Sequence, residues 1–174
     1  MMLNGMEVRY GFKLFEENKD GKLFPLFIGK NEETPMGKWI HAEFIPTKGF
    51  AARGGWHIGD MPDAPWLKDA NGNYKSRWKT GKRVWCVVAY NATVDYNGYV
   101  EKLPKKCITD GIPENGFYFF REVGKGTWSI TSDIMVIGKI TEEQRQKYLA
   151  DHGYNEAEAF EPYRKAMEKR MKKA

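Results

Sequence analysis

Hydrophobic and polar side chains alternate near the start of the chain, over residues 7–15. One side of this stretch is apolar and the other is charged: Val8, Tyr10, Phe12 and Leu14 against Arg9 and Lys13. Alternation with a period of two is typical of a β-strand that buries one face. The pattern therefore predicts a half-buried strand, with Asp20-Gly21 as the turn that follows it.

Further segments have the apolar or alternating character of strands, and turns rich in polar residues or glycine separate them. They cover residues 23–28, 38–45, 83–90, 116–123, 127–131 and 133–140. Residues 83–90, RVWCVVAY, are apolar and β-branched enough for the centre of a sheet. Pro25 cannot donate a ladder hydrogen bond, so its segment is expected at an edge or a bulge. A mostly antiparallel or mixed sheet is therefore predicted.

The pattern becomes helical at residue 141. Thr141 and Gln144 have the spacing of a capping box, and Gly153 is placed to end the first helix. Apolar residues then recur at intervals of three and four, at Phe160, Tyr163, Met167 and Met171. We predict an α+β fold, with a sheet domain over residues 1–140 and a helical C-terminal extension over 141–174 that packs on the domain or on a partner.

The net charge of +5 is confined to the C-terminal end. Residues 164–174 hold six of the 28 basic side chains and one of the 23 acidic ones, so the rest of the chain is formally neutral. A polyanion contact is predicted only at this end. The simpler alternative is a solvated helix terminus, where basic side chains favour the helix dipole.

The sequence also argues against several classes of protein. Its 2 cysteines make no disulfide framework and no zinc-binding spacing, which is typical of a reducing cytoplasm. The N-terminus lacks a signal-peptide pattern, and no apolar stretch is long enough to cross a membrane. We therefore expect a cytoplasmic protein with no membrane contact.

Recognised catalytic and nucleotide-binding motifs do not occur. The chain has no phosphate loop, no dinucleotide glycine fingerprint, and no serine or cysteine nucleophile signature. Its three histidines lie far apart, so no metal site is predicted.

The densest group of chemically capable residues lies in residues 49–66, GFAARGGWHIGDMPDAPW. An arginine here could pair with a phosphate, an aromatic ring and an imidazole could hold a flat ligand, and an aspartate precedes a short helix whose N–H groups favour anions. The predicted ligand-binding residues are Arg53, Trp56, His57 and Asp60, and no catalytic residue is assigned. The alternative is a structural turn with Trp56 in the core and His57 in solvent, because neighbouring strand side chains point in opposite directions.

Residues 55–65, GWHIGDMPDAP, resemble a segment of the poly(ADP-ribose) polymerase-type ADP-ribosyltransferases. The matching positions are Gly55, His57, Ile58, Gly59, Asp60 and Ala64, with His57 in place of the family's tyrosine. The resemblance implies an ADP-ribosyltransferase-like fold, and NAD or an ADP-ribose-like nucleotide as the ligand. The family's glutamate would fall at Thr127, and Glu122 lies five residues earlier, which argues against ordinary transferase activity.

A second resemblance starts further upstream, and it is to small proteins encoded in phages and mobile elements of gut bacteria. The residues that carry it are Gly37, Lys38, Trp39, Ala42, Glu43, Pro46 to Ala51, Arg53 and Gly55 to His57, with Lys38 in place of an acidic residue. This resemblance implies a phage or prophage accessory protein, and it carries no catalytic residues.

Three hypotheses about function follow. The leading one is a non-catalytic, phage-type accessory protein whose cleft accepts a nucleotide-like ligand or a partner loop. The second is an ADP-ribosyl or related nucleotide-group transferase, in which His57 orients the nicotinamide ribose and an acid such as Glu122 stabilises the transition state. The third is a protein-interaction module that acts through its C-terminal helices. A carboxylate within reach of His57 would distinguish the second from the first.

Overall fold

The computed structural model describes residues 1–27, 30–44 and 53–173. These residues form a ten-stranded sheet, a short 3₁₀ helix at Pro65–Leu67, and three α-helices. The strands are β1 (Met2–Leu3), β2 (Met6–Glu17), β3 (Leu23–Phe24), β4 (Trp39–His41), β5 (Trp56–Gly59), β6 (Lys82–Asn91), β7 (Val94–Asp95), β8 (Gly116–Val123), β9 (Gly126–Thr131) and β10 (Asp133–Lys139). The helices are α1 (Asn97–Glu101), α2 (Glu142–Asp151) and α3 (Glu156–Lys173). The predicted α+β class is confirmed.

The sheet has the strand order β4-β10-β6-β2-β5-β9-β8-β7, and β1 and β3 also pair with β2. The strand pairs are antiparallel except β7 with β8, which are parallel. The prediction of a mostly antiparallel or mixed sheet is therefore confirmed. Strands β6, β8, β9 and β10 match their predicted bounds to within one residue at each end. The segments 23–28 and 38–45 form only the short strands β3 and β4, and part of each lies outside the described residues.

Strand β2 lies in the middle of the sheet and is covered on both faces over its second half. Ten of its residues, Val8 to Glu17, pair with β6. Phe15 packs into one apolar cluster, while Phe12 and Leu14 pack into a second cluster that includes aromatic residues of the C-terminal helices. The prediction of a half-buried strand is wrong over this second half, because the face that alternation assigned to polar residues also packs into a core, through Phe15.

The sheet curls around the first of these clusters, which contains Ile58, Val88, Phe117 and Ile134 as well as Phe15. The indole N–H of Trp56 on β5 donates to the carbonyl oxygen of Ile40 on β4 at 3.2 Å. Three strands separate β4 from β5 in the sheet order, so only a strongly curved sheet brings them together. The concave face therefore encloses the larger core.

Helix α2 begins and ends as its sequence predicts. Thr141 and Gln144 form both hydrogen bonds of the capping box, at 3.1 Å and 2.8 Å, and Gly153 follows α2 with a φ of 64°. Helix α3 continues through Pro162. None of the helices in the described part of the chain is long and apolar enough to cross a membrane.

A buried network of ion pairs fastens these helices to the sheet domain. Lys68 Nζ lies 2.8 Å from a carboxylate oxygen of Asp63 and 3.2 Å from one of Glu156 on α3. Arg145 on α2 pairs with the same Glu156, and Tyr154 donates to Asp63 at 2.6 Å. Helix α2 and the start of α3 therefore pack on the sheet domain, which leaves only the distal turns of α3 extended into solvent.

Candidate ligand-binding cleft

A cleft opens where strands β2 and β5 separate. The two strands pair at a single position, Phe12 with Gly59. Just before it, a Cβ on Gly11 would lie 2.5 Å from the Ile58 side chain, so the strands approach each other closely there. Beyond it the ladder stops, and a cavity of about 510 Å³ lies next to Lys13, Leu14, Trp56 and His57. This volume is typical of sites for small molecules.

Aromatic rings form much of the cleft wall. Trp56, Trp66, Phe120 and Trp128 all line it, and Trp66 meets Trp128 edge to face with ring centroids 4.9 Å apart. A β-bulge between Phe119 and Arg121 breaks the β8–β9 ladder. Bulges re-aim side chains, and this one accounts for the consecutive residues Phe120 and Arg121 both reaching the cleft.

Three half-buried cations line the cleft: Lys13, Arg53 and Arg121. The Arg53 guanidinium lies 4.5 Å from the Phe120 ring centroid, and that of Arg121 lies 3.9 Å from a Trp66 ring centroid. Among the described residues, no carboxylate oxygen is within 4.0 Å of their charged nitrogens. Arg121 Nε is buried and has no hydrogen-bond partner there. The interior of the cleft therefore carries positive charge that no described side chain neutralises.

Acidic residues line only the outer part of the cleft. Glu32, Glu33 and Glu43 belong to its lining, and all three side chains are exposed. Water screens charges at such positions well. In the interior of the cleft, by contrast, burial lowers the pKa of Lys13 to about 8 and also lowers the pKa of Arg121. The electrostatic contrast between rim and interior favours a ligand that inserts an anionic group.

His57 lies among these cations as a neutral imidazole. Its ring meets Phe120 edge to face at 5.6 Å, and Nε2 is 3.5 Å from the carbonyl oxygen of Arg53. Burial, followed by repulsion from Lys13, lowers the pKa of His57 to about 3. At neutral pH the imidazole is therefore uncharged and able to exchange hydrogen bonds with a ligand.

Trp56 and His57 occupy opposite faces of β5, as strand geometry requires, but both line the cleft. Trp56 packs against the concave core, and its indole binds Ile40. His57 lies across from Ile130 of β9 on the other face. Both side chains reach the cavity because it runs past the unpaired edge of β5. Neither the predicted cleft nor the alternative of a structural turn placed both residues at a cavity.

Asp60 does not line the cleft with the other three predicted residues. It is exposed at the end of β5, where its carboxylate accepts a hydrogen bond from the Thr127 N–H at 2.7 Å. Its own N–H donates to the Thr127 carbonyl oxygen at 3.0 Å. Burial raises the pKa of Asp60. The side chain fastens β5 to the start of β9 instead of lining the cleft.

Sequence reasoning did not identify Lys13, Trp66, Phe120 and Arg121 as cleft residues. Lys13 has the position of an exposed charge in an alternating strand, and nothing local shows that the neighbouring strand departs beside it. The run FYFFR at 117–121 carries a weak signal, because a charge directly after four aromatic residues is unusual for a simple alternating strand.

Comparisons of the chain with known protein families, with curated proteins and with solved structures found no match. The described residues also contain no group of three or more histidine, cysteine or acidic side chains that could hold a metal ion. The chemistry of the cleft is therefore interpreted from its own geometry.

Proposed function

We propose that the protein binds a small anionic ligand with a planar ring, of the nucleotide type, and that it does so without catalysing a reaction. The observation that carries this proposal is the group of three cations, Lys13, Arg53 and Arg121, inside an aromatic cleft with no carboxylate within ion-pairing distance among the described residues. A phosphate would neutralise this charge, and an attached ring would contact the aromatic wall.

The energetics favour such a ligand over a neutral one. A buried cation without a partner costs free energy, and the cost is recovered when an anion arrives. Guanidinium groups bind phosphate through two parallel hydrogen bonds, and Arg121 Nε has an unused donor in the described structure. Indole and phenyl faces stack on flat aromatic rings largely regardless of which base or substituents those rings carry.

The transferase hypothesis receives less support from the same geometry. It needs a carboxylate near His57, but the imidazole contacts Phe120 and the Arg53 carbonyl oxygen instead. Glu122 is exposed and does not line the cleft, because it faces away from it on β8. Thr127, where the resemblance would put the family's glutamate, lies at the start of β9 beside Asp60. Binding without transfer is therefore the function that we propose.

The hypothesis of a C-terminal interaction module is restricted by the packing of its helices. Helix α2 and the start of α3 pack on the sheet domain through Asp63 and Lys68, so the faces that make these contacts are not available to a partner. The distal turns of α3 are exposed, and they hold the basic side chains for which a polyanion contact stays a prediction. The phage-type accessory role is likewise kept as part of the proposal.

Isothermal titration and thermal shift with AMP, ADP-ribose and NAD test the proposal, with adenosine as the ligand that lacks phosphate. We expect the phosphorylated compounds to raise the melting temperature and adenosine to bind at least about tenfold more weakly, since it leaves the cations unpaired.

Arg53→Gln and Arg121→Gln should each weaken binding of the phosphorylated ligand by about tenfold or more. Arg170→Gln is the matched control, because Arg170 is exposed on the distal turns of α3. Equal binding of AMP and adenosine, or equal binding by the cleft variants and the control, would contradict the proposal. Turnover of NAD to free nicotinamide would favour the transferase instead.

A further inference from the structure

The amine of Lys13 projects into the cleft from the position where β2 and β5 begin to separate. Lys13 directly follows Phe12, which makes the last pair with β5. Its side chain is half-buried, and Nζ donates to the carbonyl oxygen of His57 at 3.0 Å. A backbone carbonyl can hold the amine in place whether or not the amine carries a proton, because both forms donate N–H.

The groups that face Lys13 do little to stabilise its charged form. The lining of the cleft contributes the cations Arg53 and Arg121 and the neutral imidazole of His57. At the rim it contributes the exposed acids Glu32, Glu33 and Glu43, and His41, whose hydrogen bond to Asp133 raises its pKa. The Nζ atom lies 5.6 Å from a Trp56 ring centroid and 5.9 Å from that of Phe15, near the outer limit of a cation–π contact. Burial lowers the pKa of Lys13 to about 8, so about a tenth of the amine is unprotonated at pH 7, compared with less than about a thousandth for an ordinary lysine.

We propose that Lys13 is a carbonyl-reactive residue, whose neutral Nζ condenses in the cleft with the aldehyde or ketone group of a small anionic ligand. The nitrogen lone pair forms a bond to the carbonyl carbon, and a proton passes from nitrogen to oxygen to give a carbinolamine. Loss of that oxygen as water leaves a C=N bond. The reaction is a reversible condensation that needs no oxidant or reductant. Desolvated lysines near other cationic groups act as nucleophiles in this way.

The same surroundings define the class of the carbonyl compound. Arg53 and Arg121 select an anionic group such as a phosphate, and the aromatic wall selects a flat or compact body. The inference rests on the proposed function only because it uses the same cleft. It adds a covalent step, which would hold a carbonyl-bearing ligand longer than ion pairing alone.

Reductive trapping tests the inference on the whole chain. The protein is incubated with pyridoxal 5′-phosphate, a planar anionic aldehyde, and the imine is reduced with borohydride and located by peptide mass spectrometry. We expect Lys13 to be labelled at least about tenfold faster than exposed lysines, with a pH profile that rises to half its maximum near 8. Pyridoxal, which lacks the phosphate and reacts more slowly with all amines, should show a smaller preference for Lys13 over exposed lysines.

Two variants separate reactivity from folding. Lys13→Arg keeps the charge and a donor for the His57 carbonyl oxygen, but it cannot form the imine, so the fast-labelled site should disappear without loss of thermal stability. Lys79→Arg replaces an exposed lysine and should leave the labelling of Lys13 unchanged. If Lys13 is labelled no faster than Lys79, the inference is overturned.

Competition with AMP distinguishes this inference from the proposed function. Protection of Lys13 by AMP supports both. Fast labelling of Lys13 in a protein that does not bind AMP, ADP-ribose or NAD supports the inference and contradicts the proposed function. Nucleotide binding with no preferential labelling of Lys13 contradicts the inference alone.

Discussion

Two histidines line the cleft, His57 in its wall and His41 at its rim, and their pKa values differ because their neighbours differ. Burial, together with repulsion from the neighbouring cations, lowers the pKa of His57 to about 3. His41 lies 2.8 Å from a carboxylate oxygen of Asp133, and this hydrogen bond raises the pKa of His41 above its ordinary value. The first imidazole is therefore neutral throughout the physiological range, while the second takes up a proton more readily than a free histidine.

We expect the NMR signals of the His57 ring to stay constant between about pH 5 and 8, while those of His41 shift within or above this range. Binding of an anion in the cleft should raise the pKa of His57, because it offsets the positive charge of Lys13 and Arg53. A His57 ring that titrates near 6.5 in the free protein would contradict the described electrostatics.

The lowered pKa of His57 and the raised pKa of His41 change the stability of the fold in opposite directions as the pH changes. The unfolded chain protonates residue 57 near its ordinary pKa, whereas the folded protein resists this until about pH 3, so His57 destabilises the protein as the pH falls through this interval. His41 contributes stability below its ordinary pKa, and this is lost as the pH rises through its raised folded value. His57→Gln should therefore reduce the acid-side loss of stability, and His152→Gln, at the end of α2, is the control.

Only part of the candidate site could be predicted from the sequence. Arg53, Trp56 and His57 are close together along the chain, so their composition and spacing marked them without knowledge of the fold. Lys13 and Arg121 come from distant strands, and their placement depends on a ladder that stops and on a bulge. Both are long-range features that local alternation does not specify.

At the scale of elements, the C-terminal helices offer two arginines in contrasting surroundings. Arg145 on α2 is buried, and its guanidinium contacts Glu142, Glu156 and the carbonyl oxygen of Pro62. Arg164 on α3 is partly exposed and pairs with Glu161 and Glu168 on its own helix. The same residue type thus forms one network that joins elements and one that lies on a helix surface.

Arg145→Met should lower the free energy of unfolding by about 3 kcal/mol or more, because it removes a positive charge that offsets the buried carboxylates of Glu156 and Asp63. Arg164→Met should cost less than about 1 kcal/mol, since its pairs are screened by water. Urea denaturation followed by circular dichroism measures both. Equal losses for the two variants would show that the network around Asp63 does not anchor the helices.

At the scale of the whole molecule, the sequence predicted the class of fold and most strands but not their order. Apolar runs such as residues 83–90 specify that a strand forms and is buried, and the capping box specifies where α2 begins. The insertion of β5 between β2 and β9 depends on pairings between residues far apart along the chain. The packing of α2 and α3 on the sheet depends in turn on buried charges contributed by several elements.

Because the cleft is made from separate parts of the sheet, a ligand should stabilise the molecule as a whole. We expect a saturating nucleotide to slow hydrogen exchange of the most protected amides in β6 and β9 by a factor that follows the free energy of binding. Arg121→Gln, with its weakened binding, serves as the control. Slower exchange confined to residues 53–60 would instead indicate local binding that the rest of the sheet does not share.

The separation of β2 and β5 also bears on when, during synthesis, the cleft is complete enough to bind the proposed ligand. Lys13 is made early, and residues 53–57 follow, but the wall opposite them needs Phe120 and Arg121. Strand β5 is itself paired with β9, which is translated later still. A nascent or truncated chain that ends before β9 has no complete cleft, so a ligand of the proposed kind would bind only to molecules in which β9 has been made.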